Sequence, residues 1–262
     1  MNWYDPSDAS RLIIAPQAEI DGFLKRQGDV PGFGIAERFL MFLTAAGLRH
    51  LPAVAEVRQE PFPLPTFLEK RPLYTAPGEP PISVVEKTYT APVAVDALEV
   101  AVALGARQVF AFGVCGAVGA DVEIGDIVIP TEVVRREGTS LHYAPPEVNA
   151  TPDDALRRRL VDHFAAGETP VHVGKTVSTD APFRQTVNTE LNWRAAGVLG
   201  VDMEMSAILT VARFHRVPAV GLLVVSDKHD LTETGGWTYG GAVYQANRQA
   251  AVEQFVEFVR AT

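Results

Sequence analysis

Two short segments place acidic side chains where they could act on a bound molecule. In Val201-Asp202-Met203-Glu204-Met205-Ser206-Ala207 a carboxylate pair interrupts a strand passing into a helix otherwise built from Met, Ala, Ile, Leu and Val. A glutamate at the mouth of a buried strand costs free energy unless something bonds it. Two adjacent hydroxyls, as a ribose presents, are donors that one carboxylate can accept from. A carboxylate answering a helix dipole is the plainer explanation, and it suits Asp202 better than Glu204. In Val224-Val225-Ser226-Asp227-Lys228-His229 an aspartate follows the most continuously apolar run of the chain. It is placed there for proton transfer to a ligand. An N-cap or loop aspartate with Lys228 as its solvated partner fits the same spacing, which leaves both readings open.

Weaker signals lie elsewhere. Phe110-Ala111-Phe112-Gly113-Val114-Cys115-Gly116-Ala117-Val118 reads as a strand running into a turn with two glycines. Glycine lets backbone amides approach a ligand closely, and strand ends of α/β sheets are where ligands bind. A turn chosen only for backbone geometry has the same sequence. Cys115 has no His or Lys beside it to activate it and reads as a small packing residue. In Thr176-Val177-Ser178-Thr179-Asp180-Ala181-Pro182-Phe183-Arg184, Phe183 could stack on a planar ring and Arg184 could meet its polar edge. A lone Phe near a strand end is more often core.

The elements that must position these residues alternate along the chain. Short apolar runs predict strands at Leu12–Ala15, Ile82–Glu86, Gln108–Phe112, Ile127–Ile129, Val171–Ser178, Val198–Met203 and Ala219–Ser226. Most are apolar on both faces, which predicts buried strands in a mainly parallel or mixed sheet. Apolar spacing of three and four predicts helices over Ile35–Gly47, Pro92–Leu104, Pro152–Ala166, Met205–Arg216 and Gly241–Val259. The alternation predicts an α/β protein with helices on both faces of its sheet. The stretch from Pro61 to Pro81 holds seven of the 19 prolines and predicts an irregular surface insertion. No internal repeat or low-complexity linker divides the 262 residues, so one domain is expected.

Composition narrows the partners. With 23 Lys and Arg against 32 Asp and Glu the net charge is −9, and no basic run exceeds Arg157-Arg158-Arg159, so nucleic acid and anionic membranes lack electrostatic support. No stretch approaches the ~18 apolar residues of a membrane span, and the start, MNWYDPSDAS, is polar and acidic where a signal peptide is basic and then apolar. One cysteine cannot form an intrachain disulfide, and the six histidines show no zinc spacing. The expectation is a cytoplasmic protein with no metal or organic cofactor.

Taken in order, the glycine turn, GDIVIPTEVVRREGTSLHYAPP, TVSTDAPFR, GVLGVDMEMSAI and LLVVSD resemble the nucleoside phosphorylase family, which includes uridine phosphorylases, hexameric purine nucleoside phosphorylases and methylthioadenosine nucleosidases. The resemblance runs from about Ile82 to Asp227. It implies a single three-layer α/β/α domain with a mixed, distorted central sheet, no metal, and a homodimer or homohexamer whose subunits complete one another's sites. It further implies cleavage of the N-glycosidic bond of a small-molecule nucleoside, a pentosyl transfer with inorganic phosphate as co-substrate. By the same resemblance Met203 and Glu204 match the pair that holds the ribose, Glu204 through the 2′ and 3′ hydroxyls. Asp227 matches the aspartate that protonates or hydrogen-bonds a purine base, and Phe183 and Arg184 lie in the segment that supplies base contacts. The sugar gains positive charge as the base leaves, so Glu204 is expected to stabilise the sugar and Asp227 the base.

The sequence departs from that family mainly where the phosphate binds. The chain after Leu12–Ala15 reads Ala15-Pro16-Gln17-Ala18 in place of a Gly-Asp-Pro-x-Arg loop. The arginine before the glycine turn is Ala111, the hydroxyl beside Gly113 is Val114, and a Gly-x-Gly before Pro92 is Thr88-Tyr89-Thr90. Each lost charge-assisted bond is worth ~1.5–3 kcal/mol, so phosphate binding should weaken severely. Arg58 stands near the arginine a neighbouring subunit donates, with Arg26 and Arg38 as other candidates. Three readings follow: a phosphorylase with an altered anion subsite at Gly113, Val114, Thr90 and Arg58; a nucleosidase using water; or a silent nucleoside-binding protein.

Overall fold

Ten strands join in one sheet in this computed structural model, which describes residues 3–8, 10–28, 30, 32–45, 47–53, 55–232 and 234–262. In chain order the elements are α1 (Pro16–Gln27), β1 (Arg38–Phe42), α2 (Gly47–His50), β2 (Arg58–Leu64), β3 (Arg71–Ala76), β4 (Ile82–Glu86), α3 (Ala91–Ala103), β5 (Gln108–Ala117), β6 (Ile127–Arg136), α4 (Asp154–Phe164), β7 (Val171–Thr179), α5 (Val187–Ala195), β8 (Val198–Asp202), α6 (Met205–Phe214), β9 (Ala219–His229), β10 (Trp237–Tyr239) and α7 (Ala242–Ala261). The sheet runs β10-β9-β6-β7-β8-β5-β1-β4-β3-β2, and β9 also pairs with β5. That extra pairing closes β5, β9, β6, β7 and β8 into a ring, from which the other strands extend as an open sheet. Parallel pairs (β1–β4, β1–β5, β5–β9, β6–β7, β7–β8) mix with antiparallel ones (β5–β8, β6–β9).

The sheet separates two apolar layers. On one side Ile20 and Phe23 of α1, Ala94 and Leu98 of α3, and Ile208 and Leu209 of α6 share a core; on the other, Leu160 and Phe164 of α4 join Tyr244 and Phe255 of α7. Small residues let α3 and α6 pack against each other: Ala94, Ala97, Ala101, Ala207 and Ala212 are buried completely. The α/β/α layering and mixed sheet match the architecture expected from sequence.

Several local expectations are corrected. Leu12–Ala15 is not a strand: Leu12, Ile13 and Ile14 are exposed and irregular, and the helix α1 follows at once. The first strand is Arg38–Phe42, inside the segment whose spacing predicted a helix over Ile35–Gly47; Ala46 of that segment lies outside the described residues. A run such as RFLMFL, buried on both faces, carries no period that separates strand from buried helix. The proline-rich stretch is irregular only in part, at residues 65–70 and 77–81; the rest is strand. β2 and β3 pair antiparallel across it, with a register shift between Gln59 and Pro63 that accommodates the prolines. α1 and α5 escaped the reading because each buries only one or two side chains, Ile20 and Phe23 in α1 and Glu190 in α5.

Candidate active site

β5, β8 and β9 converge on a cavity of about 520 Å³. It is built at the bulged stretch of the β5–β9 ladder, where Cys115 pairs with Val225 but Gly116 pairs with Asp227, leaving Ser226 as the extra residue. Bulges of this kind re-aim a side chain, here turning Asp227 toward the cavity. Gly116 makes room for it: a β-carbon there would stand 3.0 Å from Asp227 Oδ2. Asp227 accepts hydrogen bonds from Ser226 Oγ at 2.6 Å and from Trp237 Nε1 at 3.0 Å, the indole reaching across from β10.

At the other end of the cavity the carboxylate pair divides its work. Asp202 turns inward, accepting from the Ser178 hydroxyl and from the Met205 backbone N–H at 2.9 Å, which satisfies the first turn of α6. Glu204, 7% exposed, faces the cavity and accepts the Thr90 N–H at 2.6 Å. Thr90 holds φ at 71° with ψ at 150°, a positive-φ conformation nearly confined to glycine that costs about 1–3 kcal/mol. That strain aims its N–H at the carboxylate. Burial first, and the neighbouring Asp202 second, hold Glu204 above the usual carboxylate range. Burial also raises Asp202, with the Ser178 hydroxyl and the Met205 N–H pulling the other way. Two buried carboxyl groups this close disfavour full ionisation of both.

A buried polar chain fixes this end. Arg135 donates to Ser140 Oγ at 2.7 Å and to the carbonyls of Pro145 (2.6 Å), Val148 (2.8 Å) and Ala144 (3.0 Å). Ser140 donates to Glu137, as does Ser206 Oγ at 2.9 Å, and the Ser206 N–H donates to Ser178 Oγ at 2.9 Å. Ser178 completes the path to Asp202. The segment RREGTSLHYAPP, read from sequence only as a pattern, is thus the scaffold behind the carboxylates.

Met203, Glu204, Asp227, Val114 and Phe183 all line the one cavity, although Phe183 is 99% exposed at its mouth. Thr90 contributes its backbone through Glu204, while its neighbour Tyr89 lines the wall and accepts the Ala45 N–H at 2.9 Å. Arg184 is exposed in the short 3₁₀ turn Pro182–Arg184 and does not line the cavity. Gly113 is not in a turn; it lies inside β5, where a β-carbon would meet Leu43 Cδ1 at 2.7 Å, so it is a packing glycine. Arg58 lies in a separate depression on β2, 3.5 Å from Glu60. Arg38 donates to the Arg260 carbonyl at 2.9 Å and Arg26 lies on α1; neither lines the cavity. Among the described residues no lysine or arginine lines it, whereas Asp202, Glu204 and Asp227 do. Cys115 is buried, and burial with Asp202 and Asp227 pushes its thiol up, which leaves it protonated and inert.

Sequence reading missed Thr44, Gln185, His229 and Trp237 of the lining. Thr44 follows the true first strand, so finding it required placing β1. His229 had a legible signal: two residues beyond Asp227 on one strand, it shares that residue's face.

The mixed sheet between helical layers agrees with the comparisons. A family model described as the phosphorylase superfamily matches residues 67–262, and the chain belongs to that superfamily. Among curated relatives it is 34% identical over 122 residues to a guanosine phosphorylase of Halorubrum lacusprofundi, covering 47% of this chain and 51% of that one. It is 31% identical over 129 residues to a uridine phosphorylase of Salmonella typhimurium (44% and 51%) and 30% identical over 162 residues to a DeoD-type purine nucleoside phosphorylase of Jannaschia sp. (58% and 62%). The chain spans about half the length of the first two. Solved structures share the fold: a uridine phosphorylase from Vibrio fischeri (TM-score 0.65, 20% identity, 87% of this chain and 88% of that one) and a purine nucleoside phosphorylase from Toxoplasma gondii in complex with immucillin-H (0.72, 15%, 87% and 92%). Among the described residues no helix is long and apolar enough to cross a membrane.

Proposed function

We propose that this protein cleaves the N-glycosidic bond of a nucleoside, transferring the pentosyl group to phosphate. The observation that carries the reading is Glu204: a nearly buried carboxyl that faces a cavity and accepts one backbone N–H. Two sugar hydroxyls donating to it, and a ring gaining positive charge, favour its anion and offset the burial that otherwise keeps it protonated. The anion then stabilises the sugar more in the transition state than in the ground state. Met203 packs beside the sugar, Phe183 covers the base from the mouth, and Asp227 meets the base's polar edge.

A second reading, hydrolysis by water, is favoured by one observation: among the described residues, three carboxyl groups and no lysine or arginine line the cavity. A dianion entering a single chain's site would meet like charge, whereas water would not. Val114 and Tyr89 supply an apolar wall where charged donors would otherwise be needed. Product analysis distinguishes the two: ribose 1-phosphate formed only with phosphate supports transfer, free ribose in phosphate-free buffer supports hydrolysis, and no release of base from any nucleoside sinks both.

The lone buried Cys115 and acidic surface fit a cytoplasmic enzyme without metal or organic cofactor. A groove of about 610 Å³ exposes Leu12, Ile14, Phe67, Leu68 and Phe214, an apolar surface that suits a homodimer or homohexamer. In such an assembly a neighbouring subunit could bring the missing cation. Sedimentation at working concentration tests it, and a monomer counts against it.

A further inference from the structure

Asp227 has company at its end of the cavity. Side chains alternate along β9, so His229 turns into the same cavity while Lys228 points away to Glu123. The imidazole holds Nε2 3.8 Å from Asp227 Oδ2 and Nδ1 2.7 Å from Glu190 Oε2. Glu190 is only 2% exposed and takes a second bond, from Gln185 Nε2 at 2.9 Å. Its Oε1 has no hydrogen-bond partner among the described residues, and the Arg194 guanidinium stands 4.0 Å away.

A glutamate in the first turn of a helix is ordinary, since the dipole favours an anion there. What is not ordinary is a glutamate sealed behind a cavity-lining histidine, with the free edge of the imidazole turned to the carboxyl proposed to meet the base. An ionised carboxylate only accepts, so Nδ1 carries a proton toward Glu190 and Nε2 is the atom left to face Asp227. Trp237 Nε1 occupies the other approach to Asp227 Oδ2.

We infer that Glu190 and His229 act as positioning residues that keep a proton available on Asp227 for the leaving base. The inference rests on the glycosidic reading above. A proton on Asp227 Oδ2 faces the free lone pair of His229 Nε2 across 3.8 Å, longer than a hydrogen bond, while the Nδ1 proton stays with Glu190. As the C1′–N bond breaks, its electron pair remains on the base, the Asp227 proton forms the new N–H bond of the departing base, and C1′ bonds to the oxygen nucleophile, which releases a proton to solvent when it is water. Solvent then returns a proton to the Asp227–His229 pair. No oxidant or metal enters the balance.

The test compares leaving groups. Wild type, His229→Gln and Glu190→Gln are assayed on the best-cleaved of inosine, guanosine and uridine, and on 4-nitrophenyl β-D-riboside, whose phenolate departs without a proton. His229→Gln should lower kcat on the nucleoside by about 10²-fold with KM within about threefold, and change the nitrophenyl substrate by no more than about threefold. Glu190→Gln should show the same selectivity with a smaller loss. Equal loss on both substrates, or none on either, overturns the inference. A wild type that cleaves the nitrophenyl riboside but no nucleoside also overturns it while leaving the glycosidic reading intact; cleavage of neither removes that reading and the dyad with it. Independently of any variant, ¹⁵N spectra of histidine-labelled wild type should show His229 protonated at Nδ1, and a neutral ring protonated only at Nε2 refutes the arrangement.

Discussion

Replacing Glu204 by Gln keeps the size of the side chain and an oxygen to accept the Thr90 N–H, but removes the charge. A carboxylate that accepts from the 2′ and 3′ hydroxyls lies roughly 4–5 Å from the anomeric carbon, where a full charge interacts by about 3–4 kcal/mol at an effective dielectric of ~20. With the transition state carrying part of that charge, the loss is about 2–3 kcal/mol, or about 30- to 150-fold in kcat. The assay is initial-rate kinetics on the best nucleoside, with kcat falling and KM moving less. The same variant makes a second, opposite prediction for stability. Because burial raises the Glu204 carboxyl, the folded protein holds a proton that the unfolded chain gives up near pH 4.3. Stability from this group therefore falls as pH rises from there through the raised folded value. Glutamine is free of that cost, so the urea midpoint of Glu204→Gln should exceed that of wild type, and the gap should widen from pH 6 to pH 9. A variant within threefold of wild-type kcat, or one whose midpoint gap closes as pH rises, refutes the placement of a buried carboxylate under the sugar.

Other perturbations read different parts of the site. Asp227→Asn should cost about 10²–10³-fold on a nucleoside whose base leaves with a proton and less than about fivefold on the nitrophenyl riboside; equal losses in the two rate assays count against a proton-donor role. Gly116→Ala puts a methyl 3.0 Å from Asp227 Oδ2 and 3.3 Å from Val201 Cγ1; both obstacles are side chains, and the nearer one, the carboxyl, gives first. Its kcat should drop about tenfold while the urea midpoint stays near that of wild type, and unchanged turnover contradicts the close approach. Ser206→Ala deprives buried Glu137 of one of its donors and should lower unfolding free energy by about 1–2 kcal/mol; a value within about 0.5 kcal/mol of wild type in urea denaturation shows that the polar chain is not under tension there.

Two of the cavity's carboxyl groups were legible before any coordinates. Glu204 and Asp227 could be singled out because a charged residue at the end of an apolar run is costly without a partner, and local sequence reveals that cost directly. Strands such as Ile82–Glu86 and helices such as Ala91–Ala103 carry patterns set by burial on one or both faces, so their bounds fell within a few residues. Asp202 and Glu204, two residues apart, were separable in role for the same reason: one suits a helix start, the other does not.

Other features depend on what a segment meets across the fold. The apolar segments at Leu12–Ala15 and Arg38–Phe42 are equally good strand candidates in isolation; only the second finds β4 and β5 as hydrogen-bonding neighbours. Gly113 and Gly116 look alike in the chain, yet one accommodates Leu43 and the other Asp227, a difference decided by which strand crosses opposite. The dyad of Glu190 and His229 joins residues 39 apart in sequence, and the Thr90 N–H reaches Glu204 across 114. Composition and periodicity report the local cost of burying a residue, so the chain by itself determined its layers and marked two of the carboxyl groups that line the cavity. Contacts between distant segments form only when the ring of strands closes, and that closure decided which polar atoms share the cavity and which cations stay outside it.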